Sequence, residues 1–118
     1  MKLRQRKVAD QIRDILATCL SRGELSDPRL TGVMITRVAV TSDLQLASVY
    51  FRYFANHGEA EKTVQGFQSG KNYLRRALAG KLIGRRVPEL RFFYDEAQDK
   101  VDQIEGLLYE IDKEEEDE

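Results

Sequence analysis

The chain of 118 residues has one cysteine, one histidine and no tryptophan, and it lacks any apolar run long enough to span a membrane. A single cysteine, Cys19, excludes an intramolecular disulfide, and a lone thiol in a small chain is typical of a reducing compartment. The basic start MKLRQRKVADQ is not followed by an apolar signal segment. We therefore expect a cytoplasmic protein that does not insert into membranes.

The scarcity of histidine and cysteine also excludes most catalytic and metal chemistry. His57 and Cys19 are far apart and have no partners at ligand spacing, and no second histidine is present to activate a serine or cysteine. Cys19 lies on an apolar helical stripe, which favours a place in the core, and His57 is a loop residue. Asp43 lies in a turn that its carboxylate stabilises. We expect no enzymatic activity, no cofactor, no metal and no small-molecule substrate.

The stretch GFQSGKN, residues 66–72, resembles a phosphate-binding P-loop but departs from that motif in three ways. Only three residues separate Gly66 from Gly70, and Asn72 stands where the motif has serine or threonine. The stretch also follows a helical segment, whereas a P-loop follows a strand. The sequence therefore does not predict a nucleotide site.

Hydrophobic periodicity predicts a first helix that ends near Gly23, a residue that accepts the left-handed conformation found at helix ends. The runs GVMITRVAVT and LASVYFRYF, joined by an SDLQ turn, predict an antiparallel β-hairpin. The apolar stripe of the first helix comprises Val8, Ile12, Ile15, Leu16, Cys19 and Leu20.

Two further helices are predicted after the hairpin, over residues 59–68 and 73–83. The SGKN stretch between them contains Gly70 and Asn72, which both tolerate positive φ and so predict a kink. Leu74, Leu78 and Leu82 would form the apolar side of the second of these helices.

An extended run begins after Pro88, which blocks helix. In this run Leu90, Phe92 and Tyr94 face one way, and Arg91 and Phe93 face the other. A last helix would use Val101, Ile104, Leu108 and Ile111.

The element order α-β-β-α-α-β-α predicts an α+β fold. Because the third strand must cross back into the sheet after the helix pair, we expect a mixed three-stranded sheet with the helices packed on one face. Residues 1–112 would form one domain, and the acidic residues 113–118 would form a disordered tail.

Charge is strongly segregated, although the net charge is only −1. Residues 1–94 contain 17 Lys and Arg against 8 Asp and Glu, whereas residues 95–118 contain 2 against 12. The densest basic stretch runs from Lys71 to Arg91 and holds seven cations against one acid, Glu89. A soluble surface normally mixes both signs, so a surface of one sign indicates a polyanionic partner.

Two basic clusters carry this prediction. The N-terminal cluster, Arg4, Arg6 and Lys7, lies at the start of a helix, where positive charge opposes the helix dipole. Because these cations do not stabilise the helix, a binding role is favoured. Most aromatic residues of the predicted strands belong to the core, and base stacking by the outward ones is left open as an alternative. The predicted polyanion-binding residues are Arg4, Arg6, Lys7, Lys71, Asn72, Arg75, Arg76, Lys81, Arg85 and Arg86.

Four stretches, in this order, resemble the ribosome-binding factor A family over about Arg6 to Leu108: KVADQIRDIL, DPRLTGVMITRVAVTSDLQLASVYF, YLRRAL and RRVPELRFFYD. The resemblance implies a type II K-homology-like fold, which agrees with the element order above. It also implies non-catalytic binding of ribosomal RNA in the immature small ribosomal subunit, in support of late maturation and rRNA processing. We expect a monomer.

The resemblance extends to the helix kink, with one departure. The family joins its two central helices at a kink with the pattern Ala-x-Gly, where this chain has Gly-x-Asn at Gly70, Lys71 and Asn72. Asparagine is the next most tolerant residue at positive φ, so we expect the kink to survive.

A function of another class stays open at this point. The acidic last helix and tail would make the chain a protein-interaction adaptor that binds a basic ribosomal protein. A tail that folds over the basic cluster and limits non-specific binding is a third possibility.

Overall fold

The computed structural model describes residues 1–55, 58–82 and 86–97, together with residues 104, 107 and 108. None of the helices within these ranges combines the length and hydropathy that a membrane span requires. The elements are α1 (Leu3–Ser21), a 3₁₀ turn (Pro28–Leu30), β1 (Val33–Val40), β2 (Leu46–Tyr53), α2 (Ala60–Lys81) and β3 (Glu89–Tyr94). The predicted α+β class is confirmed.

Helix α1 packs the apolar side that its periodicity predicts, and Gln5 fixes its start. The Lys2 N–H donates to Gln5 Oε1 at 2.9 Å, and Gln5 Nε2 donates to the carbonyl oxygen of Val40 at 2.8 Å. The helix stops before Gly23, whose φ of 65° lies in the left-handed region, as predicted. The buried residues of α1 are Val8, Ala9, Ile12, Ile15, Leu16 and Cys19.

Strands β1 and β2 form the predicted antiparallel hairpin. Asp43 closes its turn, because Oδ1 of Asp43 accepts hydrogen bonds from Thr41 Oγ1 at 2.6 Å and from the Gln45 N–H at 3.1 Å. The same two bonds lower the pKa of Asp43. The structural role predicted for this carboxylate is confirmed.

A β-bulge in β1 decides which side chains face the core. The register shifts between Ile35 and Arg37, so Thr36 is an extra residue. Apolar residues on both sides of the bulge are buried, whereas Arg37 is exposed on the other face. The Thr36 hydroxyl also donates to Asp95 Oδ2 at 2.7 Å, which ties the end of β3 to β1.

Strand β3 lies beside β2 and runs parallel to it, so the sheet has the order β1-β2-β3 and is mixed, as predicted. Leu90 and Phe92 are buried, whereas Arg91 and Phe93 are exposed, which confirms the predicted alternation. Helix α1 packs on β1 and α2 on β3. The described part of the chain covers one face of the sheet and leaves the other, the open face, to solvent.

Helix α2 spans Ala60–Lys81 without a break, so the predicted separation into two helices is wrong. Gly70, Lys71 and Asn72 are all helical, and neither Gly70 nor Asn72 has a positive φ. The positive φ that we expected at these residues is therefore also wrong. A bend of the helix axis at this point stays a prediction.

Close packing, not backbone freedom, accounts for two of the three glycines of α2, Gly66 and Gly70. A Cβ on Gly66 would lie 3.2 Å from both Arg29 Cβ and Leu30 Cδ2, and a Cβ on Gly70 would lie 3.0 Å from Leu25 Cδ2. The two glycines are four residues apart and share one side of the helix. They allow the segment that connects α1 to β1 to approach α2.

The sequence DPRL forms the 3₁₀ turn in this connecting segment. The Asp27 carboxylate accepts the Arg29 N–H at 2.9 Å and Arg29 Nη2 at 2.6 Å, and these bonds lower the pKa of Asp27. Arg29 Nη2 also donates to Ser69 Oγ at 3.1 Å, which fastens the turn to α2. Arg29 is therefore a structural cation.

Aromatic residues form the centre of the core between α2 and the sheet. Phe67 stacks on Phe92 with ring centroids 4.4 Å apart, and it contacts Phe51 at 5.5 Å. The three leucines predicted for the apolar side of α2 are buried as well: Leu74, Leu78 and Leu82.

Most of the predicted last helix lies outside the described residues, as does the predicted tail at residues 113–118. Ile104 and Leu108 are helical but 58% and 57% exposed, so the expectation that they form a buried side is wrong for these two residues.

A pair of glycine substitutions tests the packing of α2. Gly80→Ala should raise the free energy of unfolding by about 0.5–1 kcal/mol, because alanine is the better helix former. The added Cβ would meet, beyond the helix's own backbone, no atom of the described residues within 4 Å. Gly66→Ala gains the same helix propensity, but its methyl group is overpacked against the segment that connects α1 to β1. This overpacking should lower the free energy of unfolding by about 1–3 kcal/mol. Urea unfolding measures both. Equal stabilisation by the two variants would contradict the packing role of Gly66.

Candidate nucleic-acid interface

The packing of α2 decides which of its predicted binding residues reach solvent. Because Leu74 and Leu78 point into the core, the side of the helix with Asn72 and Arg76 points away from it, and both residues are exposed. Lys81 is exposed on the last turn. The expectation that the basic charges of this helix face solvent holds for Arg76 and Lys81.

Lys71 and Arg75 depart from this expectation, because they lie where α2 borders β3 and share one carboxylate. Lys71 Nζ donates to Glu89 Oε1, and Arg75 Nη1 lies 3.4 Å from Glu89 Oε2. Arg75 Nη2 also lies 3.4 Å from the carbonyl oxygen of Val87. The two side chains are 28% and 39% exposed, so their charges are partly offset before any ligand binds.

Glu89 stays ionised at neutral pH in this arrangement. The hydrogen bond from Lys71, together with the charges of Lys71, Arg75 and Arg91, lowers the pKa of Glu89 against the opposing effect of desolvation. One acid thus offsets two cations of α2, and the surface keeps a positive excess.

The structure brings the two predicted basic clusters together at one cleft. Arg4, from the first turn of α1, and Arg86, from the segment before β3, line the same cleft. Asp43 also lines it, but its carboxylate is held by Thr41 and Gln45. Two arginines that are 82 positions apart in the sequence thus line one space.

Arg76 lines two further clefts along α2. One is shared with Asn72 and Arg75, and the other with Arg22 and Lys81. Glu24 lines the second of these clefts, where it accepts a hydrogen bond from the Tyr73 hydroxyl at 2.5 Å. This bond raises the pKa of Tyr73.

The three clefts form one basic surface. Val87 lines the cleft that Arg76 shares with Asn72, and the residues on either side of Val87 in the chain, Arg86 and Pro88, line the cleft that contains Arg4. We define the basic surface by the exposed cations Arg4, Arg22, Arg76, Lys81 and Arg86 and by the half-buried Lys71 and Arg75.

The remaining predicted residues are placed as follows. Arg6 and Lys7 are exposed on the first turns of α1. Arg85 lies outside the described residues. Of the three predicted kink residues, Asn72 lines a cleft, Lys71 is bonded to Glu89 and Gly70 faces Leu25.

Sequence reasoning missed Arg22 and the cations of the open face. Arg22 follows the last residue of α1, and only the tertiary packing of α1 on α2 brings it near Lys81. Arg37 is exposed on the open face because of the bulge at Thr36, which a strict alternation of side chains would not reveal.

The basic surface has donors suited to phosphate groups, and within the described residues no group of three or more His, Cys, Asp and Glu could hold a metal ion. Guanidinium groups suit phosphate because their donors match its oxygens, and clefts lined by cations concentrate polyanions. The pKa of the one thiol, Cys19, is raised by burial, which makes it a poor nucleophile.

Known proteins of one family resemble this chain in sequence. A family model described as ribosome-binding factor A matches residues 4–108. The ribosome-binding factor A of Pelobacter propionicus is 40% identical over 111 residues, which are 94% of this chain and 90% of the relative. That of Geotalea uraniireducens is 38% identical over 108 residues, which are 92% of this chain and 88% of the relative.

Solved structures agree with the sequence comparison. The crystal structure of ribosome-binding factor A from Thermus thermophilus has a TM-score of 0.66 and 28% identity, and the match covers 76% of this chain and 94% of that one. A Thermus thermophilus homology model fitted into a cryo-EM map of a 30S–RbfA complex has a TM-score of 0.61 and 30% identity, over 75% of this chain and 91% of that one. The chain therefore belongs to the ribosome-binding factor A family.

Proposed function

We propose that this protein is a non-catalytic assembly factor that binds ribosomal RNA of the immature small ribosomal subunit through the basic surface. It assists late maturation and rRNA processing in the cytoplasm, and it acts as a monomer. The observation that carries the proposal is the convergence of Arg4 and Arg86, from distant parts of the sequence, on one cleft beside Arg76.

The family relationship supports the small ribosomal subunit as the binding partner. The related Thermus thermophilus protein has been fitted into the map of a 30S–RbfA complex. The charge distribution of this chain supports the RNA as the ligand, because cations with exposed guanidinium groups gain most from phosphate.

The mechanism follows from the chemistry of the contacts. Cations on α2, α1 and the segment before β3 bind phosphates that belong to different parts of an RNA strand, and the rigid helices hold these phosphates at fixed separations. The bound RNA is thereby kept in one local conformation while the subunit matures. Release follows when the mature conformation no longer presents these phosphates together.

A protein-interaction adaptor is the second candidate. It is favoured by Ile104, Leu107 and Leu108, which are exposed in the acidic C-terminal region and would suit an apolar protein contact. An adaptor of this kind binds through residues far along the chain from Arg76, so substitutions in the basic surface separate the two candidates.

Removal of two exposed arginines tests the RNA-binding role. In Arg76→Ala/Arg86→Ala, binding to purified immature small subunits should weaken, and the slope of log affinity against log salt should become shallower by about 1.5, since each lost phosphate contact removes about 0.7–0.9. The fold should persist because both side chains are exposed.

The matched control removes two cations elsewhere. Arg13→Ala/Lys62→Ala changes the net charge equally. Within the described residues, Arg13 pairs with Asp14 at 3.5 Å and Lys62 with Glu59 at 3.1 Å, and both ion pairs are exposed. This control should leave the salt slope nearly unchanged. Normal binding by Arg76→Ala/Arg86→Ala, or equal losses in the two double variants, would refute the basic surface as the RNA site and favour the adaptor.

Removal of the charge on Glu89 tests whether it offsets the cations of α2. Glu89→Gln can still accept a hydrogen bond from Lys71 but leaves Lys71 and Arg75 free to bind phosphate. Affinity for small subunits should rise, and the salt slope should steepen by about 1. Glu61→Gln, which removes an exposed acid from the first turn of α2, is the control. If both variants gain affinity equally, the change in net charge, and not the position of Glu89, is responsible.

A further inference from the structure

The open face of the sheet carries a row of three side chains that crosses all three strands. Arg37 of β1 pairs with Tyr50 of β2, and Tyr50 pairs with Phe93 of β3. The Arg37 guanidinium carbon lies 3.7 Å from the centroid of the Tyr50 ring, and the Tyr50 and Phe93 centroids are 5.6 Å apart with an interplanar angle of 32°. We call these residues the stacked row.

The stacked row depends on the bulge in β1. Without the extra residue Thr36, the alternation of β1 would turn Arg37 toward the core, and the guanidinium could not reach Tyr50. The bond from Thr36 to Asp95 holds this bulge in place. The row is therefore built by the fold and does not result from the chance meeting of surface side chains.

Phe93 ends the row with a large exposed aromatic surface. Its side chain is 42% exposed, although phenylalanine is normally buried. Because β3 is an edge strand, no further strand lies beyond Phe93 in the described part of the chain. The side of its ring away from Tyr50 can therefore take another planar group.

The charge around the row favours an anionic ligand. Arg91 is exposed on the same face of β3 two residues before Phe93, and Arg37 is half exposed. Two acids near the row are already engaged. Glu89 is paired with Lys71 and Arg75, and Asp95 is buried and bonded to Thr36 and Arg37.

The pKa of Asp95 reflects its contacts with Thr36 and Arg37. Burial alone raises the pKa of Asp95, but the hydrogen bond from Thr36 and the charge of Arg37 outweigh it, and the pKa is lowered. The carboxylate is thus ionised at neutral pH, and Arg37, whose Nε lies 3.3 Å from Asp95 Oδ2, offsets its charge.

We propose that the stacked row is a second RNA contact, at which one unpaired base stacks on Phe93 while its phosphate binds Arg91. This inference rests on the proposed function, since it assigns a second surface to the same RNA. Aromatic side chains on an open sheet are a known way to bind single-stranded RNA, and stacking contributes about 1–3 kcal/mol per base.

The test measures binding of a short single-stranded RNA that carries a fluorescent adenine analogue whose emission is quenched by stacking. Phe93→Ala should weaken binding about 5- to 150-fold and abolish the quenching, with the salt slope unchanged because stacking releases no counterions. Phe93→Leu should behave like Phe93→Ala, and Phe93→Trp should retain both binding and quenching. Thermal unfolding verifies that each variant is folded.

Phe54→Ala is the matched control, because Phe54 is 76% exposed and lies outside the stacked row. Unchanged affinity and quenching in Phe93→Ala, or an equal loss in Phe54→Ala, would overturn the proposal. The proposal would also be overturned if Phe93→Ala weakened binding to whole small subunits but not to the free RNA, because the stacked row would then contact a protein. Failure of the basic surface is recognised separately, by an unchanged salt slope for this RNA in Arg76→Ala/Arg86→Ala.

Discussion

The burial of both helices against one face of a three-stranded sheet is the constraint on which the rest of the structure depends. Phe67 of α2 stacks on Phe92 of β3 and contacts Phe51 of β2, so the rotation of α2 about its axis is fixed. Once the apolar side is fixed, Arg76 must point to solvent and Lys71 must border β3. The same packing leaves the opposite face of the sheet uncovered, where Phe93 is exposed. The placement of charge is thus a consequence of how the core is filled.

Under the proposed function, the two faces that result would contact different parts of one RNA ligand. On the helical side, cations of the basic surface line three clefts, and the proposed phosphate contacts there would depend on salt. On the sheet side, Tyr50 and Phe93 offer rings, and the contribution of stacking does not depend on salt. A small protein with contacts of both kinds can hold an RNA segment by its backbone and by one base, which fixes the conformation of the segment more tightly than phosphate contacts alone.

The sequence predicts the turn at Asp43 and the alternation of β3 from local side-chain patterns, and it predicts the α+β class and the mixed sheet from the order of the elements. It does not predict that α2 is continuous, because Gly70 has the same local signature whether it supplies positive φ or makes room for Leu25. It also does not predict that Lys71 and Arg75 share Glu89, since that contact joins residues brought together only by the crossover to β3. Most predicted cations are exposed as expected, and the convergence of Arg4 with Arg86 required the tertiary structure.

The salt dependence of binding by the unmodified protein to purified immature small subunits tests the central claim most directly. The five exposed cations of the basic surface, each in contact with one phosphate, would give a slope of log affinity against log salt of about −4. They are Arg4, Arg22, Arg76, Lys81 and Arg86. A linear decrease with a slope near this value is the result that the account predicts. An affinity that does not change with salt would contradict it, because binding would then owe nothing to the basic surface.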